Sequence, residues 1–401
     1  MLTHWHKPLQ DCLRPLMESY QSGLETGDIE YAAYSLLHHN EYNYFCGQNL
    51  NQLAENLDNY SHALIQINQL NTLTYHEIYR QIVLNLLGLS ENPTELVGDA
   101  YDERRSLPRH EQIDDRYALY QVYLNKLILS YLFGEIEKAV QLANLAQQYI
   151  DGVSGLYFIP VFYFYDSLVR LAAYGITPQD EQPELLQKVQ NNQQKMRRWA
   201  EAAPMNFRHK FQLVEAERFR VLGEIIAAIE SYEQAIVGAS RSQYRQEAAL
   251  AYELVGQFYL AWDKPKIAQV YLTDAYHAYL SWGARAKVAD LESRYPRLLA
   301  GIFLPQRPAF SATETLLGTP ALTVTQTAPK QSSSASSSTS LSITLDLATV
   351  LKASQTLSSE IELDKLLAIL LQTVLENAGA DKSVLLMSQQ NQWFVEAVAT
   401  L

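Results

Sequence analysis

The chain has little of several features that would assign it to a class at once. Only two of its 401 residues are cysteine, Cys12 and Cys46, too few for a disulfide framework or a cysteine-rich zinc site. We interpret them as small buried residues in a reducing compartment, and expect a cytoplasmic protein. No stretch approaches the roughly 18 consecutive apolar residues that a membrane span needs. His4, His6 and Lys7 open the chain with no apolar run after them, unlike a signal peptide.

Basic charge is also scarce. The chain has 31 Lys and Arg against 44 Asp and Glu, a net charge of -13. A nucleic-acid-binding surface needs an excess of basic side chains to neutralise phosphates, so this class of partner is excluded. With 48% hydrophobic and 19% charged residues, the composition indicates a globular protein with room for two or three domains.

What the sequence does have is a long succession of apolar residues at helical spacing. They predict four helices over residues 9–88. Over residues 89–115, proline, glycine and a charged run predict a long loop with little regular structure. Helices are predicted again from 115 to 304, broken by turns near Gly134, Gly152, Pro178, Pro204, Gly223 and Asp263.

A six-residue turn motif recurs in this helical stretch, at 27–32, 134–139 and 223–228, with a degenerate copy at 263–268. Each full copy begins with Gly, which can take the left-handed conformation that ends a helix. An acid follows at the next helix N-terminus, where its charge favours the helix dipole. Ala stands five residues after the first position, where it lets two helices approach closely. The motif therefore predicts a series of helix hairpins.

Residues 252–275 resemble one tetratricopeptide (TPR) repeat. The aromatic, apolar and small positions of its two helices are filled by Tyr252, Val255, Gly256 and Tyr259, then by Ala268, Leu272 and Ala275. The last two motif copies lie 40 residues apart, which is longer than the ~34 of a standard TPR. We therefore predict a mostly α protein whose residues 1–304 form a TPR-like solenoid of α-α hairpins with lengthened helices.

The composition changes after this body. Residues 305–343 are rich in Ser, Thr and Pro, cannot bury enough apolar surface to offset their ordering entropy, and are predicted to form a disordered linker. Residues 344–362 keep a 3-4 apolar spacing, which predicts a coiled-coil-like signalling helix able to pair with a copy of itself. A homodimer through this helix is an open alternative to a monomer.

The last stretch, 363–401, predicts a short α/β unit. A second apolar helix leads to a strand at 383–387, a polar turn at 389–392 and a partner strand at 393–399. The sequence stops with an open two-stranded edge, so we interpret this unit as incomplete.

This last unit resembles the start of a GAF domain, a ligand-sensing α/β module. The matching residues are Leu363-x2-Leu366-Leu367, the Ala-Gly-Ala-Asp at 378–381 and the strand at 384–386. Only the beginning of such a domain is present, so its ligand pocket cannot be assembled from these residues.

The combination resembles one family, the large bacterial and especially cyanobacterial signalling multi-kinases. The stretches that carry the resemblance are 4–5, 20–28, 284–287, 295–296 and 345–355. Members carry a serine/threonine kinase, an AAA-type ATPase, a helical-repeat region, a GAF domain and a C-terminal histidine kinase. The resemblance covers nearly the whole chain but only the non-catalytic middle of the family. It implies a part in two-component signalling without catalytic, cofactor-binding or metal-binding residues of its own.

The residues themselves offer little chemistry. No kinase signature and no Gly-x-Ser-x-Gly elbow occurs. Gly152-x2-Gly155 lacks the Lys-Ser or Lys-Thr of a phosphate loop and is interpreted as a hairpin turn. The stretch 76–80 is superficially similar to the phosphoacceptor box of histidine kinases, but it lacks the downstream Pro. We interpret His76 as a surface or groove residue of a repeat helix.

Three further features have one functional and one structural interpretation each. Four histidines suggest a metal, but scattered surface residues are the better interpretation: His4, His6, His38 and His39. Two basic runs offer docking sites for an acidic partner or a phosphorylated segment, but a solvated face is favoured: Arg104, Arg105, Arg109 and His110, then Lys195, Arg197 and Arg198. The tyrosine stripes are interpreted as inter-helix packing, with a peptide-binding groove left open.

From these features we expect a non-catalytic regulatory segment of a signalling kinase. Its solenoid would contact a protein partner or a neighbouring kinase or ATPase domain and relay a signal to the GAF-type sensor. The alternative is a free-standing TPR adaptor that recruits a protein partner.

Overall fold

A computed structural model describes residues 3–303, 382–389 and 392–400. The chain divides into two compact units, Met1–Ser311 and Ala312–Leu401, which are described separately. The described part of the first unit is helical. No helix in the described residues has the length and apolar character needed to cross a membrane.

Fifteen α-helices occupy the described part of the first unit. Most of them pack in consecutive pairs: α1 with α2, α3 with α4, α6 with α7, α8 with α9, α10 with α11 and α12 with α13. Short turns join these pairs except α8 and α9, which the longer connection 174–181 joins. Their bounds are α1 Leu13–Thr26, α2 Ile29–Phe45, α3 Leu50–Gln66, α4 Leu70–Leu87, α5 Glu103–Gln112, α6 Arg116–Leu132, α7 Ile136–Gln148, α8 Phe158–Ala173, α9 Gln182–Ala202, α10 Pro204–Leu222, α11 Ile225–Arg241, α12 Arg245–Ala261, α13 Pro265–Trp282, α14 Arg285–Arg294 and α15 Pro296–Phe303.

The predicted four helices over 9–88 are confirmed as α1 to α4. The predicted loop over 89–115 is wrong in its second half, where α5 forms. Asp102 caps this helix by accepting a hydrogen bond from a backbone N–H at 3.1 Å. Glu103 fastens it to α6 through an ion pair with Lys126 at 2.6 Å. These contacts outweigh the backbone hydrogen bond that Pro108 removes from the helix interior.

The recurring turn motif is confirmed as a local structure. Its glycines have left-handed φ angles of 81°, 80° and 77° in Gly27, Gly134 and Gly223. The acid that follows stands at the N-cap of α2, α7 and α11 without accepting a capping hydrogen bond. The alanine of each copy is fully buried: Ala32, Ala139, Ala228 and Ala268. The motif thus marks where a second helix starts and which of its residues faces the first.

The pair α12 and α13 shows why a small residue is needed at the contact. A Cβ added to Gly256 would lie 2.7 Å from Cγ of Leu272, closer than real Cβ contacts allow. Leu272 itself is fully buried, as are Ala268 and Ala275. The spacing that predicted a close hairpin over 252–275 therefore corresponds to a close hairpin in the structure.

Early and late parts of this helical body meet directly. Gln246 donates from Nε2 to the backbone carbonyl of Phe45 at 2.6 Å. Asn49 donates from Nδ2 to the carbonyl of Ser281 at 2.9 Å. The helices α4 and α14 are also in contact. Because these residues are separated by about two hundred positions or more, the succession of hairpins curls back until its two ends pack on each other.

The tyrosines fill much of the interior that this curling creates. Several are buried at every atom and donate their hydroxyls to internal acceptors, as Tyr79 does to Gln121 at 2.7 Å and Tyr120 to the carbonyl of Phe158 at 3.0 Å. The interpretation of the tyrosine stripes as packing is confirmed for the buried ones: Tyr42, Tyr79, Tyr120, Tyr157, Tyr232, Tyr244 and Tyr279. The two cysteines are buried and unpaired as predicted, and burial raises the pKa of the Cys46 thiol.

The described part of the second unit is an antiparallel hairpin of β1 Lys382–Gln389 and β2 Gln392–Thr400. Its register shifts between Leu385 and Leu386, as at a β-bulge. The predicted strands at 383–387 and 393–399 are confirmed. The predicted linker at 305–343, the helix at 344–362 and the helix that follows it lie outside the described residues.

Candidate binding site

A pocket of about 360 Å³ lies where α6, α8, α10, α12 and α14 come together. Its volume is within the usual range for small-molecule sites, which starts at about 300 Å³. The apolar part of its wall comes mainly from Ile136, Leu250, Leu254 and Phe258. The polar part is formed by Tyr131, Glu217, Arg220, Glu253, Gln257 and Arg294.

One side of the pocket is built on the ion pair of Glu217 and Arg220. Arg220 donates from Nε and Nη2 to Oε2 of Glu217 at 2.9 and 2.6 Å, and Tyr232 donates its hydroxyl to Oε1. The carboxylate is only 3% exposed, whereas the arginine side chain is 32% exposed. Burial alone would lower the pKa of Arg220, but the Glu217 carboxylate raises this pKa above its usual value. The guanidinium is therefore fixed in place, charged, and open to the pocket.

The opposite side repeats this arrangement around Glu253. Lys287 and Arg294 both donate to its Oε1, at 3.0 and 2.6 Å, and Tyr279 donates to Oε2 at 2.9 Å. Glu253 is 4% exposed and Arg294 is 31% exposed. Lys287 is fully buried and also donates to the carbonyl of Leu132, which ties α14 to α6. Again the carboxylate is enclosed and the arginine reaches the pocket.

Tyr131 lines the same pocket as these two ion pairs. Its hydroxyl oxygen is buried and has no hydrogen-bond partner among the described residues. Burial raises the pKa of Tyr131 well above its usual value, and the charges of Glu217 and Glu253 raise it further against the opposing effect of Arg220. The hydroxyl therefore stays protonated and is a donor without an acceptor.

This geometry favours binding over proton transfer or nucleophilic chemistry. All four carboxylate oxygens of Glu217 and Glu253 accept hydrogen bonds from neighbouring side chains. A general base must have an oxygen free to reach the proton that it takes. Among the described residues, no three His, Cys, Asp or Glu side chains come together in a way that could hold a metal ion.

A second, more open groove of about 580 Å³ runs along α7, α8 and α9. Its wall includes Val140, Leu185 and the exposed Ile176. Arg170 is held by Asp166 at 2.8 Å. Burial lowers the pKa of Lys188, which also lines this groove. This groove lacks the pair of anchored arginines that distinguishes the first pocket.

The histidines and basic residues singled out in the sequence line neither pocket, whereas the turn residues Gly134 and Pro178 line the first and the second pocket respectively. His76 is not a surface or groove residue: it is fully buried in α4, where Nε2 contacts the carbonyl of Leu57 at 2.8 Å and Nδ1 contacts Asn40 at 3.1 Å. The prediction of its exposure is wrong because α4 packs this face against α2 and α3. A ring enclosed in this way is not accessible to a phosphoryl donor. The turn interpretation is confirmed for Gly155, whose φ is +81°, whereas Gly152 lies in a short 3-10 helix, Ile150–Val153, between α7 and α8.

The interpretation of the four histidines as surface residues is wrong for two of them. His4 is buried and its ring packs on Trp5 at 4.6 Å between centroids. His38 is also buried, and Glu41 accepts a hydrogen bond from its Nδ1 at 2.7 Å. His6 is exposed and His39 is half-buried. The buried ones are accommodated by aromatic and carboxylate neighbours rather than by a metal-ligand arrangement.

The solvated interpretation of the basic runs holds for the arginines and for Lys195, which are exposed: Arg104, Arg105, Arg109, Arg197 and Arg198. It is wrong for His110, which is buried and contacts Asp115 at 3.0 Å through Nδ1. Lys195 is exposed but donates to the hydroxyl of Tyr163 at 2.7 Å.

Sequence reasoning missed the arginines of the pocket. Glu217 and Arg220 are three residues apart on one helix, a spacing that usually indicates a solvated ion pair. A weak signal is present at Glu253, a carboxylate inside the otherwise apolar stretch from 248 to 256. A buried acid in such a stretch demands a cation, but its partners, Lys287 and Arg294, come from a distant helix.

Comparison with known proteins gives one short similarity. No protein-family model matches the chain. A stretch of 61 residues is 39% identical to part of the hybrid signal transduction histidine kinase G of Dictyostelium discoideum. The match covers 15% of this chain and 2% of that protein, so the chain corresponds to a very small part of its relative.

Proposed function

We propose that this chain is a non-catalytic regulatory part of a multi-domain signal-transduction kinase, whose helical body contacts a partner protein or a neighbouring domain. The observation that carries the proposal is the 39% identity over 61 residues with a signal transduction histidine kinase. The pocket geometry supports the non-catalytic part, because Glu217 and Glu253 are fully engaged as structural acceptors.

The helical body is, in this proposal, a TPR-like array of α-α hairpins. Its support is the recurrence of a left-handed glycine at three of the turns, the buried alanine after each turn and the close contact of Gly256 with Leu272. In such arrays each hairpin buries its apolar face against its neighbours. Here the two ends of the array also pack together. A partner would therefore contact the outward-facing surfaces of the helices or the openings of the pockets.

Residues 363–401 would be the start of a GAF-type sensor, and 344–362 a dimerising helix that relays the signal to it. The hairpin of β1 and β2 has the strand order that this assignment needs. Limited proteolysis with mass spectrometry tests the arrangement. Cleavage confined to 305–343, with loss of a dimer seen by light scattering after the cut, supports it. Cleavage spread evenly through residues 1–300 would contradict both the helical array and the proposed relay of a signal.

The absence of kinase activity is tested directly. The purified chain is incubated with Mg²⁺ and radiolabelled ATP, alone and with a generic protein substrate. We expect no incorporation of phosphate into either, because the sequence carries no kinase signature and no phosphate-binding loop. Labelling of the chain at a histidine or serine would overturn the non-catalytic assignment.

The closed packing of residues 3–303 favours a second candidate, a free-standing TPR adaptor that recruits a protein partner. A body whose two ends pack together forms a unit without help from flanking domains. Sequencing the transcript that carries this reading frame separates the two candidates. A kinase or ATPase frame joined upstream, or a histidine-kinase frame joined downstream, supports the regulatory segment, and unrelated neighbours support the adaptor.

A further inference from the structure

We propose that the pocket between α6, α10, α12 and α14 binds a small carboxylate ligand with an apolar body. This ligand site is a function of the helical body in addition to its contacts with other proteins. The proposal rests on three features of the pocket wall: two anchored arginines, an unsatisfied tyrosine hydroxyl and an apolar floor.

The two arginines present hydrogen-bond donors to the pocket, although the positive and negative charges of its lining residues are equal in number. Glu217 and Glu253 are almost completely enclosed, at 3% and 4% exposure, whereas their partners Arg220 and Arg294 are 32% and 31% exposed. A ligand that enters therefore meets guanidinium N–H groups and not carboxylate oxygens. In the hydrogen bonds found for the two arginines, Nη1 of neither is used.

The buried hydroxyl of Tyr131 supplies a third donor. A buried polar group without a hydrogen-bond partner destabilises the fold, and native proteins seldom keep such a group without a reason. Tyr131 lines the pocket together with both arginines, and the charges of Glu217, Arg220 and Glu253 act on its hydroxyl. An acceptor bound between the arginines would satisfy it.

The charge balance favours a carboxylate over a phosphate. Two arginines and two glutamates line the pocket, so no excess positive charge is present to offset a doubly charged group. A single negative charge held by planar guanidinium donors suits a carboxylate, whose two oxygens match that fork. The aliphatic and aromatic wall of Leu250, Leu254 and Phe258 then faces the rest of the ligand, which must be apolar to gain from burial.

Two sources could supply this chemistry: a free acid of low molecular mass, or the C-terminal carboxylate of a peptide that ends in an apolar residue. The probe for both is 4-fluorophenylacetate, followed by ¹⁹F NMR line broadening in the presence of the full chain. The neutral analogue 4-fluorophenylethanol keeps the apolar body and lacks the carboxylate. We expect saturable broadening of the acid and none of the alcohol.

Variants assign the signal to the pocket. Arg220→Gln and Arg294→Gln are expected to weaken binding by about tenfold or more, since each removes charge-assisted hydrogen bonds. The matched control is Arg218→Gln, because Arg218 also pairs with an acid three residues before it on α10 and has a similar exposure of 28%, but does not line the pocket. This control should bind as the unmodified chain does.

A second pair of variants keeps the test valid if the glutamine substitutions disturb folding. Arg220→Lys preserves the charge beside Glu217 but loses the guanidinium fork, and Tyr131→Phe removes the hydroxyl without unpairing a charge. Both should fold and bind the probe several-fold more weakly, while Tyr42→Phe, which removes another buried unpartnered hydroxyl outside the pocket, should not change binding.

Competition identifies the source of the carboxylate. Displacement of the probe at lower concentration by N-acetyl-leucine supports the proposal with a peptide C-terminus as the source, and displacement at lower concentration by phenylacetate supports it with a free acid. Three outcomes would overturn the proposal: no saturable broadening up to ~10 mM probe, equal loss of binding in the Arg218 control, or displacement by inorganic phosphate as effective as that by the carboxylates.

Discussion

Nζ of Lys210 on α10 lies 2.7 Å from Oε2 of Glu247 on α12, and the two side chains are 0% and 5% exposed. His209 shares the same carboxylate oxygen. Burial alone would raise the pKa of Glu247, but Lys210 and His209 hold it below its usual value. The interior of the helical body therefore contains a charged link between neighbouring hairpins, separate from the pocket described above.

The first prediction concerns the removal of one charge from this link. Lys210→Met leaves the Glu247 carboxylate buried without its main cation, and we expect a loss of about 3–5 kcal/mol in the free energy of unfolding. Guanidinium unfolding followed by circular dichroism measures this loss. The control is Arg14→Met, since Arg14 and its partner Glu18 are 89% and 59% exposed and exposed pairs contribute little. Equal effects of the two substitutions would contradict the prediction.

Asn206 fastens the N-terminal segment to the middle of the helical body. Its Nδ2 donates to the carbonyls of His4 and Lys7, both at 2.8 Å. Its Oδ1 accepts from the backbone N–H of Leu9 at 2.9 Å. The side chain is fully buried. Its hydrogen bonds therefore replace those that water would otherwise make with these three backbone groups, which lie before α1.

The second prediction follows from these bonds. Asn206→Ala also removes the acceptor of the Tyr244 hydroxyl, which donates to Oδ1 at 2.9 Å. The loss of four hydrogen bonds should lower the free energy of unfolding by about 4 kcal/mol, at roughly 1 kcal/mol for each. It should also speed hydrogen exchange in peptides that cover residues 3–12. Asn191→Ala, at an exposed position of α9, is the control and should change neither quantity. Unaltered protection of residues 3–12 in the Asn206 variant would show that other contacts hold this segment.

Features that depend on neighbours in sequence could be predicted from the sequence. The turn at Gly27 and the buried Ala32 both follow from residues a few positions apart, because helix ends and helix faces are local properties. The hairpin of β1 and β2 was predicted for the same reason. The helix α5 was missed because Pro108 and the charged run around it indicate a loop, whereas the capping by Asp102 and the ion pair with Lys126 decide otherwise.

Features that depend on distant residues could not be predicted. Leu9 and Asn206 are 197 positions apart, and no local pattern indicates that they meet. No sequence pattern therefore indicates that the two ends of the helical body pack together, or that His4 is buried as a result. The pocket was missed for the same reason, since Arg220 and Arg294 share it only because α10 and α14 both face the interior.

The third prediction is a fall in stability at mildly acidic pH, to which His76 contributes. Burial lowers the pKa of His76 below its usual 6.5, an effect to which Arg80 adds and which the Leu57 carbonyl and Glu77 oppose. The folded state thus keeps the ring neutral while the unfolded chain binds a proton as the pH falls through about 6.5. Stability is therefore fully present above that pH and is lost as the pH falls toward the folded pKa.

Urea midpoints measured between about pH 7.5 and 5.5 test this dependence. His76→Gln should flatten the slope in part, because burial also lowers the pKa values of His39 and His209. His62→Gln, at an exposed ring on α3, should leave the slope as it is. A slope that is unchanged in the His76 variant would contradict the assignment.

The fourth prediction tests the close contact between α12 and α13. Gly256→Ala places a Cβ 2.7 Å from Cγ of Leu272, and overpacking of this kind costs about 1–3 kcal/mol. Alanine gains about 1 kcal/mol of helix propensity over glycine, so we expect a net loss in the free energy of unfolding of about 1 kcal/mol. Gly175→Ala is the control, because a Cβ there has no neighbour within 4 Å, and it should be close to neutral.

A double variant shows whether the clash itself is responsible. Leu272→Ala alone should cost about 2–5 kcal/mol through the cavity that it leaves. In that background the Cβ of Ala at position 256 has room, so its cost should disappear and the gain in helix propensity should remain. The coupling between the two substitutions is then stabilising and larger than the error of chemical denaturation. Simple additivity would mean that Gly256 is not required for the approach of α13, and the small residue would lose its role in the repeat.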